Sequence, residues 1–296
     1  LLGALALLVS VFLPGLGYTA NSSTRWLDLG PITLQTSEPA RVFLVLYLAS
    51  YIVRHQDDLS DGLVGFVKPM LVIAVACALL LRQPDFGAAV VLTATSFGLL
   101  FIGGARLRDF ALSVLVAAGL LAVLALTSPY RLERLKSFLD PWADPYDKGF
   151  QLTQSLIAIG RGEWFGVGLG DSVQKLFYLP EAHTDFIFAV LAEEWGLMGS
   201  MIALTLLFVL VLLIIDGARH SPDRFLELSG YGIATLIVFQ IVVNVGMVTG
   251  IMPVVGMTLP FFSKGGSSLV SLCFAVGLMI QARSSRASGV AGRRYT

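Results

Sequence analysis

The sequence predicts an all-α polytopic membrane protein, and three observations carry that expectation. Hydrophobic residues make up 56% of the 296 residues and charged residues only 14%, against about 25% charged in a soluble globular domain. Mean hydropathy is +0.80. The apolar residues fall in long blocks, and a membrane-spanning helix needs about 20 of them in succession. The same shortage of charge excludes a disordered chain, a collagen-like chain and an ordinary soluble enzyme. Twenty Lys and Arg balance twenty Asp and Glu, so no net positive field exists to hold a nucleic-acid backbone.

Eight candidate membrane segments follow in order: 1–20, 38–54, 65–81, 84–104, 109–127, 186–215, 225–248 and 266–282. The chain opens at Leu1 within an apolar run, with no initiator Met and no basic stretch, so further sequence upstream is expected rather than a cleaved signal peptide. Segment 38–54 starts at Gln35-Thr36-Ser37-Glu38-Pro39-Ala40-Arg41. Glu38 and Arg41 stand three apart on a helix start and can pair on one face. Such a pair is either a surface contact of little value or part of a polar outer cavity. Segment 65–81 carries Lys68 and Pro69 near its start. Cys77 and Cys273 lie in apolar runs without CxxC spacing, which suits small buried hydrophobes and no metal knuckle or disulfide framework.

Between the fifth and sixth segments lies a connection, 128–185, of nearly 60 residues, too long to be a linker alone. It mixes cations, among them Arg131, Lys148, Arg161 and Lys175, with acids. Apolar residues at helical spacing from Gln151 to Ile159 predict a short helix lying in the membrane interface. Segment 186–215 is long enough to tilt. Its Glu193 and Glu194 cannot both face lipid cheaply, so a buried ion pair or polar network is favoured over catalysis. The expected organisation is five membrane helices in 1–127, the large outer loop 128–185, three helices in 186–282 and a mobile cytoplasmic tail 283–296.

Orientation follows from Lys and Arg in the short loops. One alternating set holds ten (Arg54, Lys68, Arg106, Arg108, Arg219, Arg224, Arg283, Arg286, Arg293, Arg294) and the other four (Arg25, Arg41, Arg82, Lys264). The richer set, with the C-terminus, belongs in the cytoplasm, which puts loop 128–185 on the outer face.

Several motif-like runs lack the context their chemistry needs. Gly166, Gly168 and Gly170 do not form a dinucleotide fingerprint, and the run from Ser263 to Ser268 is not a nucleotide-phosphate loop. Asp140, Asp144 and Asp147 lack calcium-loop spacing, and two of them precede Pro, as turn residues do. His183 and Asp185 lack the G-x-S-x-G elbow of a hydrolase. Asp185 nevertheless stands apart: it follows Leu179-Pro180-Glu181-Ala182-His183-Thr184 and directly precedes Phe186-Ile187-Phe188-Ala189. A carboxylate at the mouth of a membrane helix is costly to keep. Thr184 or Asp185 can cap that helix, or Asp185 can do chemistry. Lys264 can snorkel to head groups or bind phosphate. No nucleotide motif is visible, so an enzyme of this form needs a substrate with its own activated leaving group. A lipid-linked pyrophosphate meets that need and suits Arg and Lys.

The run DPWADPYDKGFQLTQSLIAIGRGEWFGVGLGDSVQKLFYLPEAHTDFIFAVLAEEWG resembles the SEDS family (shape, elongation, division and sporulation). Arg25-Trp26-Leu27 with Leu29-Gly30, the run Gln35 to Arg41, and Leu259-Pro260 with Gly265-Gly266-Ser267-Ser268 extend the resemblance across most of the chain. DPWADPY and QLTQSL are most like the cell-division member, whereas Pro253-Val254-Val255-Gly256 is closer to the elongation member. The resemblance implies a fold of ten membrane helices, two of them preceding Leu1. It also implies peptidoglycan glycosyltransfer, the polymerisation of lipid II at the outer face of the bacterial inner membrane, at the septum. The implied partners are a class B penicillin-binding transpeptidase and other division membrane proteins. The family's essential loop aspartate falls on Asp185, and its helix ion pair on Glu38 and Arg41, with Arg replacing Lys. Lys264 stands where the family usually has Tyr.

The mechanism implied makes undecaprenyl-pyrophosphate-linked glycan the donor and the 4-hydroxyl of lipid II the acceptor. Asp185 is the general base, worth roughly 10²–10⁴-fold. Arg131, Lys148, Glu38, Arg41, Lys264 and His183 are the substrate-binding candidates. A divalent cation, Mg or Mn, is the expected cofactor, with Asp185 as a candidate ligand. Two readings compete: a transporter of the lipid-linked precursor, drawing on Glu193 and Glu194, and a non-catalytic scaffold for the transpeptidase.

Overall fold

The computed structural model describes residues 1–296 except 21, 22, 29, 31, 32, 62, 128–131, 133–136, 148 and 293–296. The chain divides into two compact units. The first comprises Leu1–Leu112, Leu210–Phe239 and Gly266–Thr296, and the second Ser113–Val209 and Gln240–Gly265.

The first unit opens with α1 (Leu2–Ser10). The expected helix over 1–20 therefore ends early, because Pro14 cannot donate to a helical ladder and Gly15 takes a φ of +86°. The turn is tight: a Cβ on Gly17 would lie 2.3 Å from the Val11 carbonyl oxygen. The chain then forms an antiparallel sheet of β1 (Gly17–Ala20), β2 (Ser23–Asp28) and β3 (Thr33–Gln35), in that spatial order. Tyr18 pairs with Trp26, and Trp26 with Gln35. An all-α class is corrected on this point: β-branched and aromatic residues between Gly and Asp turns favour strands. The Arg25 side chain anchors the sheet, donating to the backbone oxygens of Gln83 and Pro84.

Next come α2 (Ser37–Arg54), α3 (Gln56–Asp61), α4 (Leu63–Arg82), α5 (Phe86–Ile102) and α6 (Leu107–Leu126), the last continuing into the second unit. Asp85 caps α5, its Oδ1 accepting from Ala88 N–H at 3.1 Å. Glycines let helices of this unit approach closely, as in membrane bundles. A Cβ on Gly98 would stand 2.9 Å from Thr235, and one on Gly232 would stand 2.5 Å from Val45.

The second unit holds α7 (Phe150–Gly162), a π-helical turn (Gln174–Tyr178), most of α8 (Ile187–Arg219) and the end of α9 (Arg224–Val248). The helix expected at 151–159 is thus present in α7, slightly longer. Phe186, Phe188, Ala189, Val190, Leu207, Met247, Val248 and Leu259 form the apolar core of this unit. α10 (Gly266–Gly292) belongs to the first unit and runs ten residues past 282, so most of the expected tail is helical.

Among the described residues three helices are long and apolar enough to cross a membrane: Gly65–Arg82, Ile187–Arg219 and Arg224–Val248. Phe86–Ile102 and Gly266–Gln281 are shorter apolar helices. Among the described residues, the eight expected segments are therefore not all matched by helices of spanning length and composition.

Candidate functional site

In the second unit, α8 is broken at Gly196, whose φ of 64° and ψ of −162° are not helical. The break frees backbone groups that hydrocarbon cannot satisfy, and the segment 163–168 satisfies them. Glu193 and Glu194 carbonyls accept from Val167 and Gly168 N–H at 3.0 and 3.1 Å. Leu197 and Met198 N–H donate to the Glu163 and Trp164 carbonyls at 2.9 and 3.1 Å. The strap lies close enough that a Cβ on Gly162 would be 1.9 Å from the Ala192 oxygen. The two glutamates serve this join, as the sequence favours. Glu193, fully buried, accepts from Ser172 Oγ at 2.5 Å, from Val173 and Gln174 N–H at 3.2 Å, and from Arg161 at 3.2 Å. Glu194 pairs with Lys175 at 2.5 Å.

The strap braces α8 around Gly196, and Asp185 lies two residues before Ile187, where that helix begins. Asp185 is half-buried, His183 is exposed and Thr184 is half-buried. Thr184 does not cap α8: its hydroxyl turns back to the Glu181 carboxylate at 2.7 Å. The segment is held by its carbonyls. His183 O accepts from Lys264 N–H at 2.8 Å. Thr184 O accepts from Ser263 Oγ at 2.6 Å. Asp185 O accepts from Asn244 Nδ2 at 2.8 Å. The same amide also donates to the Met257 carbonyl. Gly256, at φ +66°, lies beside the carboxylate: a Cβ there would be 3.3 Å from Asp185 Oδ2.

His183, Asp185 and Lys264 are therefore brought into one neighbourhood, with the Lys264 side chain exposed. Asn244, Ser263 and Gly256 were not singled out by the sequence reading. Asn244 had a signal, since it is one of two amides, with Gln240, inside the apolar run of α9. Ser263 sat in a flagged motif where Lys264 drew the attention.

Glu38 and Arg41 lie in the first unit, on the first turn of α2, and are paired. Their side chains are 5% and 2% exposed, which excludes the surface-pair reading. Arg41 Nε also donates to the Ser37 carbonyl at 3.3 Å. Ser267, from the first turn of α10, accepts from Gln35 N–H at 2.9 Å and so ties down the strand that feeds α2. Arg131 and Lys148 lie outside the described residues. Among the described residues no group of three or more His, Cys, Asp or Glu converges on a metal position. A carboxylate such as Asp185 can still share Mg²⁺ with substrate phosphates, since that ion usually takes one or two carboxylates and keeps several waters.

The sequence matches a family model described as cell cycle protein, covering FtsW, RodA and SpoVE, over residues 1–288. It is 48% identical to the "Probable peptidoglycan glycosyltransferase FtsW" of Hahella chejuensis over 289 residues, 97% of this chain and 73% of that one. It is 52% identical to the protein of the same name from Thioalkalivibrio sulfidiphilus over 279 residues, 93% of this chain and 70% of that one. Among solved structures, a peptidoglycan synthase complex that coordinates polymerization and crosslinking aligns with a TM-score of 0.74 and 31% identity, over 96% of this chain and 79% of that one. The rod shape determining protein RodA of Thermus thermophilus aligns with a TM-score of 0.65 and 29% identity, over 95% and 76%.

Proposed function

The chain belongs to the FtsW/RodA/SpoVE family of cell cycle proteins, and on that premise we propose that this multi-pass membrane protein is a peptidoglycan glycosyltransferase with Asp185 as its general base. The observation that carries the assignment of the base is the local arrangement. Asp185 is half-buried at the mouth of a membrane helix, its backbone is tied at three successive carbonyls, and only hydrogen stands on Gly256 beside it. A carboxylate whose backbone is held in place and whose side chain is not sealed from solvent suits proton abstraction from a hydroxyl.

In this reading lipid II is the acceptor, and its 4-hydroxyl gives its proton to Asp185 as the oxygen attacks the donor's anomeric carbon. The new glycosidic bond forms with inversion. The bond to undecaprenyl pyrophosphate breaks, and that anion leaves with the electron pair. Arg131, Lys148 and Lys264 are the cations that would meet its charge, and His183 borders the base, whereas Arg41 is buried and paired with Glu38 in the other unit. Mg²⁺ or Mn²⁺, when bound, would neutralise pyrophosphate, with Asp185 as its protein ligand. The eight-segment membrane reading, an outer-face location of 128–185, a cytoplasmic C-terminus, a septal location and a class B transpeptidase partner belong to the same proposal. The transporter alternative rests on intramembrane glutamates, and Glu193 and Glu194 are both occupied in holding the strap.

The test is lipid II polymerisation by the purified protein with a class B transpeptidase. Asp185→Ala and Asp185→Asn are expected to lose at least about 10²-fold in rate, read as labelled glycan on a gel. Polymer at wild-type rate from both variants would remove Asp185 as the base. Lipid II crossing vesicles without any glycan being made would favour transport.

A further inference from the structure

We propose that Asn244 and Ser263 are positioning residues that aim the Asp185 carboxylate, an inference that rests on Asp185 being the base. Asp185 stands at the end of a non-helical stretch, so α8 does not by itself dictate where its side chain points. Three consecutive carbonyls, of His183, Thr184 and Asp185, are each engaged by a donor from the end of α9 or the segment after it. One of those donors is a backbone N–H and survives any side-chain change except to Pro. The other two are the side chains of Asn244 and Ser263.

Both side chains have their orientation forced. Asn244 Nδ2 faces two carbonyls, of Asp185 and Met257, so the amide nitrogen and not the oxygen must point there. Ser263 Oγ accepts from Leu259 N–H at 2.7 Å, which leaves its proton for the Thr184 carbonyl. Asn244 is fully buried and, among the described residues, its Oδ1 has no hydrogen-bond partner. An amide kept half-satisfied inside a membrane helix is a poor choice for stability, since an unmatched buried acceptor costs its desolvation. Its use is the link it makes between Asp185 and the Met257 end of the neighbouring segment, which also carries Gly256 against the carboxylate. Asn244 thus ties the backbone of Asp185 to the segment that packs against its carboxylate.

The experiment compares Asn244→Ala, Ser263→Ala, Ser263→Thr and Asp185→Ala in the purified full-length protein with a class B transpeptidase. It reads kcat and KM for lipid II, with thermal midpoints in detergent. Asn244→Ala and Ser263→Ala are expected to lower kcat by about 10²-fold, the scale of an ångström misplacement, with KM little changed. Ser263→Thr, which keeps the hydroxyl, recovers most of the rate. Wild-type kcat per folded molecule in both Ala variants, with only a lower thermal midpoint, would overturn the positioning role while Asp185→Ala remained inactive. Full activity of Asp185→Ala would instead remove the base itself. Should Asn244→Ala fail to fold, the contrast between Ser263→Ala and Ser263→Thr decides: equal rates overturn the proposal.

Discussion

Glu38 and Arg41 show how a spacing legible in sequence takes its meaning from burial. Three residues apart at a helix start, they are neighbours in any α-helix, and on the surface their attraction would be worth little. Here both are nearly sealed from solvent. Removing one partner strands the other charge, which costs about 3–5 kcal/mol. Arg41→Ala should therefore lower the thermal midpoint strongly, whereas the double change Glu38→Gln with Arg41→Met should restore much of it. A double variant as unstable as the single would show that the pair's charge is not what matters. Gly256 carries a second prediction at this scale. Alanine there meets a φ of +66° and brings a methyl to 3.3 Å from Asp185 Oδ2. The backbone cost is about 1–2 kcal/mol, and a methyl pressed against the carboxylate should displace it and lower the polymerisation rate at least about tenfold. Unchanged turnover would mean that Gly256 does not help to place the carboxylate. The importance of Asp185 was legible from its place between a polar loop and an apolar helix. Asn244, Ser263 and Gly256 were not, because they lie about 60 to 80 residues downstream and meet it only when folded.

The long helix α8 illustrates the next scale. Its composition reads as one continuous apolar segment, and hydropathy alone gives no sign of the break at Gly196. The break is possible because a glycine tolerates the positive φ and because the strap 163–168 completes the interrupted ladder. In the run GRGEWFGVG, Gly162 and Gly166 are there for close approach. Gly166→Ala would set a Cβ 2.1 Å from the Glu194 carbonyl oxygen, and Gly162→Ala one 1.9 Å from that of Ala192. Each should cost about 1–3 kcal/mol by overpacking, measured as a lower thermal midpoint and faster proteolysis of the loop. Resistance equal to wild type would mean that the strap detaches without consequence. Glu193 and Glu194 were legible as structural in sequence, since carboxylates in an apolar helix need partners. Which partners, Arg161 and Lys175, depended on where the strap folds.

For the whole molecule, the membrane class followed from the shortage of charge and the length of the apolar blocks, and the asymmetry of Lys and Arg carries the proposed orientation. Cysteines placed at Phe150 and His220 test that orientation: position 150 should label from outside and position 220 from the cytoplasmic side. Labelling of 150 from the cytoplasm would invert the topology and take Asp185 away from the outer face. By itself the sequence determined the solvent each segment needs, because burial of apolar surface is additive along the chain, and it marked the loop aspartate through local contrast and family resemblance. Only the tertiary structure decided that the N-terminal apolar run turns into a sheet, that α8 breaks, and that an amide of α9 grips the backbone at Asp185. Those outcomes rest on backbone hydrogen bonds and close contacts between residues distant in the chain, and no periodicity records such pairings.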